Sequence, residues 1–210
     1  EPDRTPSGRC SPKTSLITSA LRSPEVWHLC LGIGLLCVPQ FAVLQFGTIF
    51  LHDVGDLRPA TIATAMATLQ IGAMALRIWS GHWTDKHGNR KTYLRDCIAL
   101  SALLFALLAA ISAAQSTVHI GNGAALAILL VLCGIAISAW HGVAYAELGT
   151  SAGAAQAGTA LGLCNTLVFA ANFLTPQGVA ALLPHASWAA IWLTAAAISL
   201  LAWPLLGRKR

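Results

Sequence analysis

Long apolar runs, separated by short polar connections, fill this 210-residue chain from about residue 24 onward. Each run contains about 20 residues or more, and a helix of about 20 residues crosses a hydrocarbon core about 30 Å thick. The pattern therefore predicts an all-α, polytopic membrane protein with six transmembrane helices. The predicted spans are residues 24–51, 59–83, 92–114, 122–148, 152–183 and 186–206.

Composition supports a membrane protein with a short polar extension. Only 10% of the residues are charged and 56% are hydrophobic, whereas soluble domains carry about 25% charged residues. The first 22 residues are rich in Pro, Ser, Thr and basic residues and lack an apolar period, which is typical of a flexible segment. We therefore expect residues 1–22 to be a cytoplasmic tail or an interdomain linker, and residues 23–210 to form the transmembrane domain.

The distribution of Lys and Arg predicts the orientation of the spans, because positive charges are retained on the cytoplasmic side. With six crossings, one side of the membrane receives eleven cations and the other receives only Arg58. Both termini are therefore expected in the cytoplasm, in what we expect to be a bacterial inner membrane. The net charge of +5 follows from this topology and gives no reason to expect a nucleic-acid partner. The eleven cations are Arg4, Arg9, Lys13, Arg22, Lys86, Arg90, Lys91, Arg95, Arg208, Lys209 and Arg210.

Metal, cofactor and catalytic sites are not expected. The six cysteines are scattered, without a closely spaced pair of the kind that binds zinc. Of the seven histidines, His141 is the one clearly inside a predicted helix, so no pair of axial haem ligands at matching depth is available. No Ser/His/Asp or paired-carboxylate arrangement stands out either. The sequence therefore predicts neither an enzyme nor a cofactor protein.

The connection between the second and third predicted spans carries the most distinctive polar pattern. Gly81 would let a neighbouring helix approach closely, and Gly88 permits the positive φ of a tight turn. Asp85 can face a helix N-terminus or an arginine, while the basic residues favour anionic headgroups. The plainer alternative is a basic loop that only fixes orientation. The patterned residues are Gly81, Asp85, Lys86, Gly88, Arg90 and Lys91.

This arrangement resembles the signature of the major facilitator superfamily, although Asn89 stands where the family often has a cation. The resemblance implies that the chain is the carboxyl-terminal six-helix half of a twelve-helix transporter. It also implies a gate contact to the opposite half, assigned here to Asp85, Arg90 and Gly81. Asp85 is therefore expected to lack a partner within this chain.

Polar residues inside the predicted spans are candidates for a solute cavity, because amides and charges in hydrocarbon need partners or water. The resemblance implies that the third and sixth spans face lipid, and Trp188, Trp192 and Trp203 suit that environment. The alternatives are interhelical hydrogen bonding for the amides, snorkelling for Arg77 and core packing for His141. The cavity candidates are Gln40, Gln70, Arg77, His141, Asn165 and Asn172.

Prolines and glycines within the spans predict local irregularities. Pro39 and Pro176 each remove an internal hydrogen bond and should kink or loosen the first and fifth spans. Paired glycines should allow close helix packing, at Gly32 with Gly34 and at residues 158 and 162.

The sequence thus predicts a secondary transporter that moves a small polar or anionic solute by alternating access. Its expected partners are the solute, the lipid bilayer and the missing N-terminal half or a second copy of the chain. The alternative is a six-helix membrane protein that does not transport, such as an assembly subunit or a sensor.

Overall fold

The computed structural model describes residues 21–118 and 123–206, and every regular element in those ranges is an α-helix. Six segments in these ranges are long and apolar enough to cross a membrane, which confirms the all-α, six-span prediction. The tail expected at residues 1–22 lies almost wholly outside the described residues. The helices are α1 Pro24–Asp53, α2 Pro59–His87, α3 Arg90–Val118, α4 Gly123–Ser138, α5 His141–Ala152, α6 Ala157–Leu182, α7 Trp188–Leu201 and α8 Trp203–Leu206.

Proline and glycine set the limits of α2. The helix starts at Pro59, whose missing N–H costs nothing in the first turn. It ends at Gly88, which adopts φ 61° and donates its backbone N–H to the carbonyl of Thr84. A left-handed residue of this kind commonly closes a helix, and glycine adopts it without a side-chain clash. The predicted positive φ at Gly88 is therefore confirmed.

Helix α1 is central to the bundle and packs against α6, α7 and α4, while α3 packs mainly on α7 and α2 on α4. Its glycines permit these contacts. A Cβ at Gly32 would lie 2.6 Å from Leu206 Cγ, and one at Gly34 would lie 3.3 Å from Leu167 Cβ. The expected close packing at these two positions is confirmed, and larger side chains there would push α8 or α6 away.

Two packing expectations for the last two spans have different outcomes: the one for Trp192 is wrong, and close packing at residues 158 and 162 is not found among the described residues. A Cβ added at Gly158 or Gly162 would meet nothing within 4 Å, so these glycines do not serve close packing inside this chain. Trp192 does not face lipid, because its side chain is fully buried. Its ring lies 5.1 Å from Phe50 and 6.1 Å from Phe105, centroid to centroid, and fills the contact among α1, α3 and α7. The apolar outer surfaces of α3 and α7 are instead provided by residues such as Leu103 and Leu193.

The fourth span is interrupted, although the sequence predicts one helix over residues 122–148. Helix α4 ends at Ser138, residues 139–140 form a turn, and α5 begins at His141. By contrast, α1 and α6 continue through Pro39 and Pro176. The break therefore does not follow proline. It coincides with hydrogen bonds that reach the fourth span from other helices.

Candidate functional site

Side chains from α2 and α3 donate hydrogen bonds to the backbone carbonyl groups at the break between α4 and α5. The Nε of Arg77 donates to the carbonyl of Ser138 at 3.1 Å, and the hydroxyl of Ser80 donates to the carbonyl of Ala139 at 3.2 Å. The hydroxyl of Tyr93 also reaches the Ala139 carbonyl, at 3.5 Å. Carbonyls released from a helix need such partners inside a membrane. The break is therefore a polar junction held by tertiary contacts.

Arg77 is directed at this junction rather than at the membrane surface. Its side chain is half-buried, and its Nε is committed to Ser138. Snorkelling, the alternative considered for this residue, would require the side chain to run along its own helix to the interface. The hydrogen bond to Ser138 shows that the Arg77 side chain runs across to α4 instead. Arg77 thus presents its guanidinium beside α4 and α5.

Gln40 is placed differently from the sequence expectation of a cavity residue. Its side chain is 3% exposed, and its Nε2 donates to the hydroxyl of Ser138 at 3.2 Å. The buried Oε1 has no hydrogen-bond partner in the described part of the chain. Gln40 therefore joins α1 to the end of α4 in the interior of the bundle.

A row of aromatic and amide groups continues from the junction along α5 to α6. The ring of His141 lies 4.0 Å from that of Trp140 and 6.2 Å from that of Tyr145, in near-parallel stacks. The hydroxyl of Tyr145 donates to Oδ1 of Asn165 at 3.2 Å. His141 and Tyr145 are half-buried and Asn165 is exposed. His141, Tyr145 and Asn165 are therefore at least partly accessible from the side of the bundle that no described helix covers, which we call the open polar face.

The remaining two cavity candidates differ from each other. Gln70 is exposed on α2, about 10 Å along the helix from Arg77. Asn172 accepts a hydrogen bond from Nε2 of Gln45 at 2.8 Å, which joins α1 to α6. The interhelical alternative therefore describes Asn172, whereas Gln70 is available to solvent or solute.

The loop motif forms its own ion pair. Arg90 donates from Nη2 to Oδ1 of Asp85 at 2.6 Å, and its Nη1 donates to the hydroxyl of Thr150 at 3.2 Å. The expectation that Asp85 lacks a partner within this chain is therefore wrong, because Arg90 lies close enough in the same turn. Gly81 also differs from expectation: a Cβ there would meet nothing within 4 Å, so no described neighbour packs against it.

Lys91 joins three helices at the same end of the bundle, which we call the loop side. Its Nζ lies 3.6 Å from Oε1 of Glu147 on α5 and 3.8 Å from Oε1 of Glu25 on α1. Ser151 donates to the same carboxylate oxygen of Glu25 at 3.4 Å. Lys86 is exposed and forms no ion pair with a described residue. Sequence reasoning missed Glu25, Glu147 and Thr150, although each falls at a predicted loop-side span end.

Metal-binding geometry is not found in the described ranges. No group of three or more His, Cys, Asp or Glu side chains in residues 21–118 and 123–206 could hold an ion. The polar groups of the site are a guanidinium, amides, a hydroxyl and an imidazole on membrane helices. They suit binding of a polar molecule.

Comparison with known proteins identifies the family. No match to the chain was found among curated proteins. The family model described as Major Facilitator Superfamily matches residues 2–176. That range contains the loop motif, the junction between α4 and α5, and most of α6. The chain, an integral membrane protein with six membrane-spanning segments in its described residues, therefore belongs to the major facilitator superfamily of transporters.

Proposed function

We propose that this chain forms one six-helix half, the carboxyl-terminal one, of a secondary transporter that moves a small polar or anionic solute by alternating access. One observation carries the proposal: polar side chains of membrane helices α2, α5 and α6 lie on a side of the bundle that no described helix covers. They are Gln70, Arg77, His141, Tyr145 and Asn165.

A water-filled path accounts for these groups. An arginine or an exposed amide in contact with lipid chains is costly, so such residues face a cavity or another polar group. Transporters of this general design place the solute near the middle of the membrane, between two halves. Arg77 and Asn165 lie on two of the helices that pack against α5, α2 and α6, and we assign both side chains to the lining of that path.

The proposed partner is a second six-helix half, supplied by an N-terminal half of the same protein or by a second copy. Helices α2 and α6 are the least buried of the six spans. Both expose large apolar side chains, including Met74 on α2 and Phe173 on α6. Gly81 and Gly158 on the same helices have open space where a Cβ would lie. These faces suit helix-to-helix packing, which small residues permit in membranes.

The loop side is proposed to be cytoplasmic and to contain the gate, in a bacterial inner membrane. The eleven-to-one division of cations supports that orientation. The ion pairs of Asp85 with Arg90 and of Lys91 with Glu147 join the loop to α3 and α5. Movement of α5 away from the loop, which would open a path on this side, would separate Lys91 from Glu147 and Arg90 from Thr150, while the Asp85–Arg90 pair holds Arg90 in place for the second contact.

Uptake by the intact transporter tests the proposal. Proteoliposomes are loaded with a panel of labelled organic acids, sugars and amino acids, and exchange is measured for wild type, Asp85→Asn and Lys86→Gln. We expect exchange of one solute class, reduced at least about tenfold in Asp85→Asn because its gate pair is lost, and retained in Lys86→Gln. Exchange of no panel member would favour the alternative, a six-helix assembly or sensor protein. Wild-type exchange by Asp85→Asn would remove the gate assignment.

A further inference from the structure

The charge of Arg77 is not neutralised by any group that the structure describes. Ion pairs in residues 21–118 and 123–206 involve Asp53, Asp85, Glu25 and Glu147, and none of them includes Arg77. Two loop-side carboxylates, Glu25 and Glu147, face Lys91, and a third, Asp85, is paired with Arg90. An unpaired cation within a membrane span is costly and usually marks a functional site.

At two residues of the open polar face, Arg77 and Asn165, internal hydrogen bonds leave donor groups unpaired among the described residues. Arg77 uses Nε for the Ser138 carbonyl, so both terminal Nη groups remain without a described protein partner. Asn165 uses its oxygen to accept from Tyr145, and its NH₂ group therefore stays available. A ligand that fits these groups has to bring acceptor oxygens and negative charge.

The bond to Ser138 also fixes how Arg77 can bind. Because Nε is held at 3.1 Å from a carbonyl of the junction, the planar end of the guanidinium with its two Nη groups is the part that remains free. Such a fork matches the two oxygens of a carboxylate, and it does so better than an ammonium group, which acts as a point charge. One unpaired cation balances one negative charge.

We propose that the solute of this site is a small organic anion with a single carboxylate, which Arg77 binds through its Nη groups while Asn165 donates from its amide. The inference rests on the proposed transport function and specifies the solute class of the same proposed site. Gln40 helps to position Ser138, because it donates to the Ser138 hydroxyl while Arg77 donates to the Ser138 carbonyl.

A binding measurement that does not depend on transport tests this inference. The intact protein in lipid nanodiscs is heated with straight-chain, hydroxylated, branched and aromatic monocarboxylates, each compared with its neutral amide at constant ionic strength. We expect at least one carboxylate to raise the unfolding midpoint with a saturable dose dependence and its amide to have no effect. Apparent affinity should fall about tenfold to a hundredfold in Arg77→Gln, as expected for loss of charge-assisted hydrogen bonds. Arg77→Lys should retain part of it.

The matched control is Arg58→Gln, which removes the same charge at an exposed position preceding α2 and should leave carboxylate binding unchanged. Three results would overturn the inference: equal stabilisation by acids and amides, retained affinity in Arg77→Gln, or no stabilisation by any carboxylate. The uptake assay separates this failure from failure of the proposed function. Exchange of a neutral solute that is insensitive to Arg77 keeps the transporter and rejects the anion. Carboxylate binding without exchange keeps the anion site and rejects transport.

Discussion

Arg77 on α2 donates a hydrogen bond from Nε to the carbonyl of Ser138, 3.1 Å away, at the point where the fourth span is interrupted. The same side chain thus supports the break between α4 and α5 and presents a charge to the open polar face. Helix α5 begins at this junction and carries Glu147 and Thr150, which contact Lys91 and Arg90 on the loop side. One short helix therefore joins the proposed solute site to the proposed gate.

Ser80→Ala should loosen the junction. The mutation removes a hydroxyl that lies 3.2 Å from the Ala139 carbonyl and 3.0 Å from the Arg77 carbonyl of its own helix. It should lower the free energy of unfolding by about 1 kcal/mol, because the Ala139 carbonyl then keeps only the longer contact from Tyr93 among the described residues. Amide hydrogen exchange in residues 139–144 should also become faster. Ser112→Ala is the matched control, since that buried hydroxyl bonds only to Leu108 of its own helix. Equal exchange rates in the two variants would show that Ser80 does not hold the break.

Gly88→Ala should destabilise the loop turn by about 1 kcal/mol, because Gly88 has φ 61° and an L side chain is strained there. Gly81→Ala should leave stability unchanged or raise it by up to about 1 kcal/mol, since glycine is a poor helix former and a Cβ meets nothing there. Thermal unfolding in detergent compares the two. A destabilising Gly81→Ala in the isolated chain would contradict the open space found at this position.

Lys91→Gln should lower the free energy of unfolding by about 1 kcal/mol, because the half-buried Glu147 then loses its ion pair and two carboxylates repel each other across the gap. The control is Lys86→Gln, an exposed position where a change below about 0.5 kcal/mol is expected. Unfolding midpoints are measured at low and high salt. The Lys91 effect should shrink at high salt, and an effect that is independent of salt would rule out the electrostatic explanation.

Labelling of single cysteines should report the orientation of the spans. In right-side-out membranes, an impermeant thiol reagent should modify Asp56→Cys and spare Asn89→Cys, because the cation distribution assigns residue 89 to the cytoplasm. Both variants are made with the native cysteines replaced by alanine. The opposite labelling pattern would reverse the assigned topology.

The sequence was sufficient for the spans and for the turn at Gly88, and insufficient for the ion pair of Asp85 and for the junction. The six spans can be predicted because each apolar run is long enough to cross a bilayer. The positive φ of Gly88 can be predicted because few residues other than glycine adopt it. The break after Ser138 cannot be predicted in this way. No proline marks it, and its carbonyls are held by Arg77 and Ser80, about 60 residues away in the chain. Long-range contacts of this kind leave no local pattern.

The cavity candidates show the same limit. Gln40 and Asn165 are both amides near the middle of their spans, yet Gln40 is buried against Ser138 and Asn165 is exposed. The difference depends on how α1 and α6 are rotated in the bundle. Neither helix has a sequence period that fixes this rotation, since both are apolar over most of their circumference.

Water accessibility in membranes tests whether the open polar face of this bundle lines an aqueous solute path. Asn165→Cys and Leu103→Cys are prepared with the native cysteines replaced by alanine, and modification by a small, membrane-impermeant, charged thiol reagent is measured in proteoliposomes of the intact transporter. We expect rapid modification at residue 165 and none at residue 103, which is exposed on the apolar surface of α3. No modification at residue 165 from either side of the membrane would contradict the proposed path.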